Sequence, residues 1–457
     1  MHILMPTDVF PPKCGGAGWS SHALALALIG RGHAVTALVP RAGGPRWMAE
    51  NVLGVPTVRL GYRAPDLAFV KNYFRHEHLW PRVAQAIIDC ADDQHAATDV
   101  GLPISDFRLL TQLAIENRQS NIAHSVLIHA QHVQVMPAAI MAGKRLGVPV
   151  VVTVRDHWPW DYFATGLHGN QVPYSQHGWA ALATDLVARE GPLKGAAAAI
   201  AIPYIRAHMR RRLAFLRQAD AVIAVSGYIA RRLETLAPRE RIHVIPNMVD
   251  VAAIARVVSA PPQSVAAPYL LFVGKLDRNK GADLLVDVFR AYLALETGTN
   301  RESEPHIPTL VIAGDGPLRP LLERDLAALG VSVRFLDWID HDEVLRLMAH
   351  CTLLLFPSAW GEPLSRVWLE AAACGAPLLA MPTGGIHDII ADGVNGALAA
   401  TPAAFARRMA ALLADELTRR RLGAAARQTA RERFAVEHVV GQVEALYAAL
   451  VENQSQP

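Results

Sequence analysis

Residues 352–374 read TLLLFPSAWGEPLSRVWLEAAAC, and this stretch decides the fold. The apolar run 352–356 predicts a buried strand, and apolar residues at helical spacing across 365–373 predict a helix. Gly361 and Pro363 lie in the loop that joins them. A strand, a loop and a helix in this order form part of a βαβ unit, which predicts a parallel sheet covered by helices.

The same order of elements recurs on both sides of this stretch. Elsewhere in the second half, strands are predicted at 269–273, 309–313, 331–336 and 377–380, and helices at 282–293, 317–328 and 341–350. In the first half, strands are predicted at 2–5, 34–39, 125–128, 150–154, 221–225 and 242–245, and helices at 20–31 and 137–146. The predicted fold class is therefore α/β, with two doubly wound, Rossmann-like domains that face a cleft.

The domain boundary is predicted at Pro246-Asn247. Residues 1–246 form the predicted N-terminal domain, with a helical insertion at about 64–121, and residues 247–434 form the C-terminal domain. From about residue 402 the chain is rich in Ala, Leu and Arg, which predicts consecutive helices. We expect the last helix, at about 435–457, to pack back on the N-terminal domain.

Length and composition fit this division. The 457 residues, of which 52% are hydrophobic and 19% charged, suit two domains of roughly 200 residues each. No apolar run reaches the roughly 20 residues that span a bilayer, and the first residues show no leader pattern. We therefore expect a soluble, cytoplasmic protein. The four cysteines form no CxxC pair, which argues against a disulfide framework or a structural zinc site.

Positive charge is concentrated in the first half. Residues 1–245 hold 25 lysines and arginines against 17 aspartates and glutamates, although the whole chain carries only +3. This excess indicates an anionic partner, and ordinary surface charge explains it equally well. Five arginines recur at helical spacing there: Arg206, Arg210, Arg211, Arg212 and Arg217. They favour peripheral contact with anionic lipid at the inner face of the membrane; a surface helix with a solvated basic edge is the alternative. No nucleic-acid partner is expected.

A loop after a predicted strand, residues 274–281, carries two lysines between glycines. Glycines permit close backbone approach, and the start of a helix attracts anions. Lys275 and Lys280 are therefore placed to neutralise a diphosphate leaving group. A solvated basic loop is the alternative interpretation.

The loop of the opening stretch carries two glutamates. Glu362 lies in the loop, and Glu370 lies about two turns into the helix. The backbone amides of Leu364, Ser365 and Arg366 begin that helix, where amides lack helical partners and suit phosphate or sugar oxygens. A carboxylate such as Glu370 is suited to accept hydrogen bonds from ribose hydroxyls.

Taken in order, these motifs resemble the retaining glycosyltransferases of the GT-B fold, family 4. The resemblance rests on the Glu-x7-Glu arrangement of Glu362 and Glu370 and on the stretches 371–377 (AAACGAP), 384–385 (GG), 392–396 (DGVNG), 274–281 (GKLDRNKG), 313–317 (AGDGP), 11–16 (PPKCGG), 31–35 (RGHAV), 219–226 (ADAVIAVS) and 245–247 (IPN). It spans nearly the whole chain.

The resemblance implies a donor site for a nucleotide-diphosphate sugar. It implies that Glu370 binds the ribose and that Glu362, a catalytic residue, stands beside the transferred sugar. Lys275 and Lys280 are implied to hold the diphosphate, and Gly16 is implied to let the first domain's loop approach the donor phosphate.

Two donor-site positions depart from the family pattern. Lys275 stands where the family usually has Arg, which keeps the charge and loses bidentate geometry. Ser365 stands where relatives often have Gly, which alters the fit around the sugar and keeps the amide donor.

Four further residues follow strands of the first domain. The resemblance implies that His132, a second catalytic candidate, hydrogen-bonds to the donor sugar. His129 is either an acceptor contact or a structural partner. Asp156 and His157 are predicted to contact the acceptor, with a bond from Asp156 to the loop backbone as the alternative. Arg155 stands where many relatives have His.

No Asp-x-Asp motif lies on a predicted cleft loop, and residues 340–343 fit a helix N-cap with an acidic first turn. We therefore expect no metal and no other cofactor. The resemblance implies a front-face displacement that retains configuration, with the acceptor on the first domain: a glycan, a lipid-linked sugar or a small molecule. A nucleotide-sugar epimerase of the same fold, a sugar phosphorylase and a non-catalytic nucleotide-sugar-binding protein are the alternatives.

Overall fold

A computed structural model describes residues 1–67, 69–91, 125–169, 172–173, 178–297, 308–358 and 360–454. The chain forms two units. The N-terminal unit comprises Met1–Thr165, Gln176–Pro246 and Val439–Pro457, and the C-terminal unit comprises Gly166–Ser175 and Asn247–His438. The chain thus divides after Pro246 and returns to the N-terminal unit with its last helix.

The N-terminal unit is built on an eight-stranded sheet. Its strands are β1 (His2–Pro6), β2 (Ala34–Ala42), β3 (Trp47–Val52), β4 (Val55–Tyr62), β5 (Val126–Ala130), β6 (Val150–Val154), β9 (Ala221–Ala224) and β10 (Ile242–Val244). Their order across the sheet is β10-β9-β6-β5-β1-β2-β4-β3, and every pairing is parallel except that of β3 with β4. A short antiparallel pair, β7 (Leu167–His168) and β8 (Val172–Pro173), lies in the segment assigned to the C-terminal unit.

Helices connect these strands. The described helices of this unit are Gly16–Gly30, Val70–Arg75, Trp80–Ala91, Met136–Leu146, Trp179–Glu190, Pro192–Ala198, Ile202–Leu216, Gly227–Leu233 and the chain-terminal helix Val436–Gln454, which begins in the C-terminal unit. Two of them fall in the predicted helical insertion, and residues 68 and 92–121 of that insertion lie outside the described residues. The hairpin of β3 and β4, which precedes the insertion, was not predicted.

The C-terminal unit is built on a six-stranded, fully parallel sheet. Its strands are β11 (Tyr269–Val273), β12 (Thr309–Ala313), β13 (Val333–Phe335), β14 (Leu353–Phe356), β15 (Leu378–Ala380) and β16 (Ala397–Leu398), in the order β13-β12-β11-β14-β15-β16. Its main helices are Val251–Val257, Leu284–Thr297, Arg319–Ala328, His341–His350, Arg366–Cys374, Pro402–Ala414 and Glu416–Thr429. The strand bounds 269–273 and 309–313 match the prediction because both runs are almost entirely apolar and four of the five residues in each are buried.

The last helix is fixed to the N-terminal unit by polar contacts as well as by packing. Tyr447 is fully buried, and Glu444 binds Arg31 at 2.6 Å and His33 at 2.9 Å. Among the described residues no helix is long and apolar enough to cross a membrane.

Candidate active site

In the C-terminal unit, two neighbouring loops meet where the strand order reverses between β11 and β14. Ligands of doubly wound sheets bind at such a reversal, beyond the carboxyl ends of the strands. Gly281 has φ +68°, and a Cβ atom there would lie 1.9 Å from the carbonyl oxygen of Pro357. Ser358 Oγ also donates to the carbonyl oxygen of Asn279 at 2.9 Å. Only glycine permits this approach, which holds the loop after β11 against the loop after β14.

Lys280 and Glu362 form an ion pair across these loops. Lys280 Nζ lies 2.7 Å from both carboxylate oxygens of Glu362 and 5.2 Å from the centre of the Trp360 ring. The Glu362 side chain is 9% exposed and that of Lys280 is 24% exposed. Because both side chains are largely buried, removing either charge would leave the other uncompensated, at a higher free-energy cost than at the protein surface. Lys275 lies apart from them, with a 61% exposed side chain paired to Asp277 at 3.1 Å.

A third loop holds the backbone of Glu362. The Gly385 amide donates to the Glu362 carbonyl oxygen at 2.8 Å. Gly384 has φ +58°, and a Cβ atom there would lie 2.1 Å from the same oxygen. The predicted Gly-Gly motif therefore positions the backbone of Glu362.

Glu370 is buried on the first turns of the helix Arg366–Cys374. Its Oε1 accepts hydrogen bonds from His341 Nε2 at 3.1 Å and from Arg366 Nη2 at 2.9 Å. Burial favours the neutral acid, but the hydrogen bond from His341 and the charge of Arg366 outweigh it and hold the pKa of Glu370 below its ordinary value. Oε2 has no hydrogen bond with another described residue. Glu370 is thus an ionised carboxylate with one oxygen available.

The start of that helix presents free backbone donors. Within the described part of the chain, the amides of Leu364, Ser365 and Arg366 have no hydrogen-bond acceptor. Ser365 occupies the N-cap position without a side-chain capping bond, and both Leu364 and Ser365 are buried. Three unpaired amides at a helix start are suited to bind an anion.

The N-terminal unit contains a buried charge cluster at its own strand-order reversal, between β1 and β5. His132, after β5, places Nδ1 2.7 Å from Asp8 and Nε2 2.8 Å from Asp156. Burial alone would lower the pKa of His132, but the two carboxylates raise it to about 10. Burial would raise the pKa of Asp8, and its pairing with His132 lowers it instead. His132 is therefore an imidazolium at neutral pH.

Two family models cover most of this chain. Residues 14–253 match the model described as Glycosyltransferase Family 4, and residues 260–429 match Glycosyl transferases group 1. The first match alone spans more than half of the chain. The chain belongs to glycosyltransferase family 4.

Curated relatives of this family 4 chain carry several different names. A D-inositol 3-phosphate glycosyltransferase of Xylanimonas cellulosilytica is 30% identical over 259 residues, which cover 50% of this chain and 57% of that protein. An alpha-maltose-1-phosphate synthase of Mycolicibacterium smegmatis is 28% identical over 249 residues, which cover 50% and 63%. The matched region thus spans about three fifths of each relative.

Solved structures share the whole fold. HepE from Anabaena, in a complex with UDP-glucose, is 18% identical with a TM-score of 0.62 and covers 98% of this chain and 100% of its own. Sucrose-phosphate synthase from Thermosynechococcus elongatus is 20% identical with a TM-score of 0.62 and covers 99% and 100%. These likenesses and the two predominantly parallel sheets confirm the predicted GT-B fold class.

Two predicted acceptor contacts of this glycosyltransferase require correction. His129 has no exposed surface, and its ring nitrogens face Tyr447 Oη at 2.5 Å and Thr153 Oγ1 at 2.6 Å. His157 is 2% exposed, and its Nδ1 accepts from Trp160 Nε1 at 3.0 Å. Both rings are buried and engaged inside the unit, which argues against direct contact with an acceptor. For His129 the structural alternative is the one that fits.

The predicted roles of Asp156 and His132 are also changed by their contacts. Asp156 pairs with His132 and accepts from the Trp158 amide at 2.9 Å, so the predicted backbone bond is present beside an ion pair. Both ring nitrogens of His132 face carboxylates, which leaves neither of them directed at a sugar.

The predicted row of arginines is not a uniform surface. Arg212 is 1% exposed, and its guanidinium lies 4.9 Å from the centre of the Trp158 ring. Arg210, Arg211 and Arg217 are exposed, and Arg206 lies 5.2 Å from the Trp179 ring. The expectation that Arg212 faces lipid is therefore wrong.

The remaining predicted donor-site residue is Gly16. Gly16 is exposed and begins the helix Gly16–Gly30 after β1. Among the residues that the structure describes, no three His, Cys, Asp or Glu side chains are grouped so as to hold a metal ion.

Two residues of the sites were not singled out from the sequence. Asp8 follows β1 by two positions, and the strand-reversal rule points to that loop. His341 belongs to the predicted N-cap segment, where Asp340 indeed caps the helix by accepting from the Asp342 amide. The bond from His341 to Glu370 joins two helices, and no local sequence signal indicates it.

Proposed function

We propose that this protein transfers a sugar from a nucleotide-diphosphate sugar to an acceptor with retention of configuration at the anomeric carbon. The observation that carries the proposal is the ion pair of Lys280 and Glu362, which lies on the same loops as the three free amides and close in sequence to Glu370. Cations and amide donors bind a diphosphate, and carboxylates bind hydroxyl groups.

The diphosphate is bound by Lys280 and by the amides of Leu364, Ser365 and Arg366. Leaving-group charge develops on these phosphate oxygens as the sugar departs, and fixed donors stabilise that charge without reorganisation. Lys275 belongs to the same loop as Lys280 and is exposed, so its long side chain provides a second cation to the diphosphate.

The ribose is bound by Glu370. Its Oε1 is already held by His341 and Arg366, which fix the orientation of the carboxylate, and Oε2 accepts from a ribose hydroxyl. Because the carboxylate stays ionised in a buried position, hydrogen bonds to it are charge-assisted and strong.

The sugar is transferred by a front-face displacement. The bond from the anomeric carbon to the leaving phosphate oxygen breaks, and a bond to the acceptor oxygen forms on the same face. The acceptor proton passes to the leaving phosphate oxygen. Glu362 accepts hydrogen bonds from the hydroxyl groups of the transferred sugar. The positively charged imidazolium ring of His132 holds the carboxylates of Asp8 and Asp156 in position. No cofactor takes part.

The donor proposed first is UDP-glucose. It is the ligand named in the structure of HepE, whose fold this chain shares. One relative is named for an inositol phosphate and another for a maltose phosphate. These names favour a small phosphorylated acceptor over a glycan or a lipid-linked sugar.

The test is a transfer assay followed by proton NMR of the anomeric region. With UDP-glucose and a mixture of soluble sugars and sugar phosphates, UDP should be released only when an acceptor is present, and the product should have the α configuration of the donor. A β product would exclude retention. Release of UDP and a free hexose at an unchanged rate without any acceptor would favour an epimerase or hydrolase instead.

We also propose peripheral contact of the N-terminal unit with anionic membranes. Leu193 and Ile200 are each 89% exposed and lie seven residues apart, and Lys194 and Arg210 are exposed nearby in sequence. Apolar side chains bordered by cations bind the interface of anionic bilayers. Co-sedimentation with phosphatidylglycerol vesicles should be lost in a Leu193→Ser, Ile200→Ser variant, and equal binding to phosphatidylcholine vesicles would contradict the role of charge.

A further inference from the structure

The N-terminal unit contains a large open cavity beside Asp8. Its volume is about 870 Å³, within the roughly 300–1,000 Å³ typical of small-molecule sites. The loop after β1, the ends of β2 and β4, and the helix Val70–Arg75 supply its walls. A second cavity of about 320 Å³ adjoins it and shares Asp8, Asn72 and Arg75 with it.

Among the charged side chains that line the larger cavity, cations outnumber carboxylates. Five basic side chains line it, against the two carboxylates Asp8 and Glu50: Lys13, Arg41, Arg59, Lys71 and Arg75. Two of the five are already neutralised. Arg59 Nε lies 2.6 Å from Glu50, and Lys71 Nζ lies 2.8 Å from Asp66.

Of the other three cations, Lys13 and Arg41 pair with no carboxylate of the described residues, and Arg75 shares Asp8 with His132. Lys13 and Arg41 make neither an ion pair nor a hydrogen bond with another described residue. Arg75 lies 3.7 Å from Asp8, whose carboxylate is already paired with His132 at 2.7 Å. Among the described residues, the lining of the larger cavity therefore carries more positive than negative charge, which favours an anionic ligand.

The smaller cavity has an aromatic wall, beside the polar side chains of His132 and Gln134. Trp158, Tyr162 and Phe163 line it, and Tyr162 Oη accepts a hydrogen bond from Asn72 Nδ2 at 2.8 Å. Burial raises the pKa of Tyr162 to about 12, so the ring remains neutral. Flat apolar rings with a few polar groups suit the body of a sugar, whose hydroxyls find Asp8 and Asn72 at the junction of the two cavities.

We propose that the joined cavities bind an anionic sugar: a ring against the aromatic wall and a phosphate or carboxylate held by Lys13, Arg41 and Arg75. That this ligand is the acceptor rests on the proposed transferase function; the binding itself does not. Asp8 lies between the two cavities and accepts a hydrogen bond from a hydroxyl of the bound sugar.

The experiment is calorimetric titration of the full chain with four probes: glucose, glucose 6-phosphate, glucuronate and inorganic phosphate. We expect glucose 6-phosphate or glucuronate to bind at least about 10-fold more tightly than glucose, because hydrogen bonds to charged groups are the stronger ones. The preferred probe distinguishes a phosphate from a carboxylate ligand. Binding should weaken with added salt.

The variants separate this site from a general charge effect. A Lys13→Gln, Arg41→Gln double variant should weaken binding of the anionic probe by about 10-fold or more. Arg231→Gln, which removes an exposed arginine outside the cavities, should leave it unchanged. Phosphatidylinositol vesicles serve as a separate arm: competition by them with the soluble probe would assign the anion to a lipid headgroup.

UDP binding is measured on the same samples. Equal affinity for glucose and both anionic sugars, no binding of any sugar, or an unchanged double variant would overturn the inference while UDP still binds. If the wild-type chain binds an anionic sugar but does not bind UDP, the proposed transferase function is contradicted and the anionic-sugar site is supported.

Discussion

Lys280 and Glu362, which lie 82 positions apart in the chain, form a two-oxygen ion pair with both distances at 2.7 Å. The pair exists because Gly281 and Gly384 let three loops approach one another at the carboxyl edge of the sheet. Before any ligand arrives, it holds a lysine on Glu362, two residues before the first of the free helix-start amides. The positive charge of the proposed donor site is therefore already in place before the nucleotide sugar binds.

Removing the charge of Lys280 should weaken nucleotide-diphosphate binding. We expect Lys280→Gln to raise the Kd for UDP by roughly 10- to 100-fold, because a hydrogen bond to a charged group contributes about 1.5–3 kcal/mol. The measurement is calorimetric titration with UDP. Arg256→Gln, on an exposed helix position of the same unit, is the control and should bind as the wild type does.

Glu362→Gln should separate binding from transfer. The substitution releases Lys280 from its ion pair, so UDP binding should be equal to or tighter than that of the wild type, whereas transfer from UDP-glucose should fall at least about 100-fold. Parallel titrations and initial-rate assays check this. A variant that loses UDP affinity and keeps its turnover number would show that Glu362 supports binding only.

Gly281→Ala should lower the unfolding free energy mainly through a steric clash between the two loops and only to a smaller extent through backbone strain. The added Cβ atom would lie 1.9 Å from the Pro357 oxygen, at φ +68°. Gly147 is a matched control because it has φ +66° and a Cβ atom there would meet nothing within 4 Å. Gly147→Ala should cost about 1–2 kcal/mol of unfolding free energy, and Gly281→Ala should cost clearly more, as measured by urea denaturation. Equal losses would contradict the contact.

Because of His132, the unfolding free energy of the protein should fall as the pH rises above neutral. Its pKa is raised from 6.5 to about 10 in the folded protein, so the folded state holds this proton more tightly than the unfolded state does. The contribution is fully present below pH 6.5 and is lost as the pH rises toward 10, on the order of a few kcal/mol.

The measurement for His132 is the unfolding free energy between pH 6 and pH 10. The wild type should lose stability across this range more steeply than His132→Gln, which carries no titrating ring. Curves of the same slope would mean that the imidazolium is not held by Asp8 and Asp156 in solution.

Much of the fold is predictable from local patterns. Runs such as Val150–Val154 are apolar and β-branched because both faces of a parallel sheet are covered, and this pattern indicates a strand without further knowledge. The hairpin of Trp47–Val52 and Val55–Tyr62 was missed because its edge strand is half-buried and does not alternate apolar with polar residues, and its partner contains Pro56 and Gly61.

Side-chain partners were harder to predict than loops. The loops that hold Glu362, Glu370 and His132 follow strands and were found from that position. The bond between His341 and Glu370 joins residues 29 positions apart on two helices. Tyr447 reaches His129 from the far end of the chain. Such contacts depend on how helices pack, which the sequence pattern does not specify.

The most direct test of the account is a thermal-shift comparison of UDP, GDP, ADP and dTDP on the wild type and on Glu370→Ala. A ligand that binds only the folded state stabilises it by about 2.7 kcal/mol at 100 times its Kd. We predict a clear rise in Tm with one nucleotide, UDP first, that is lost in Glu370→Ala. No rise with any of the four nucleotides, or a rise that the variant keeps in full, would contradict the assignment of the donor site.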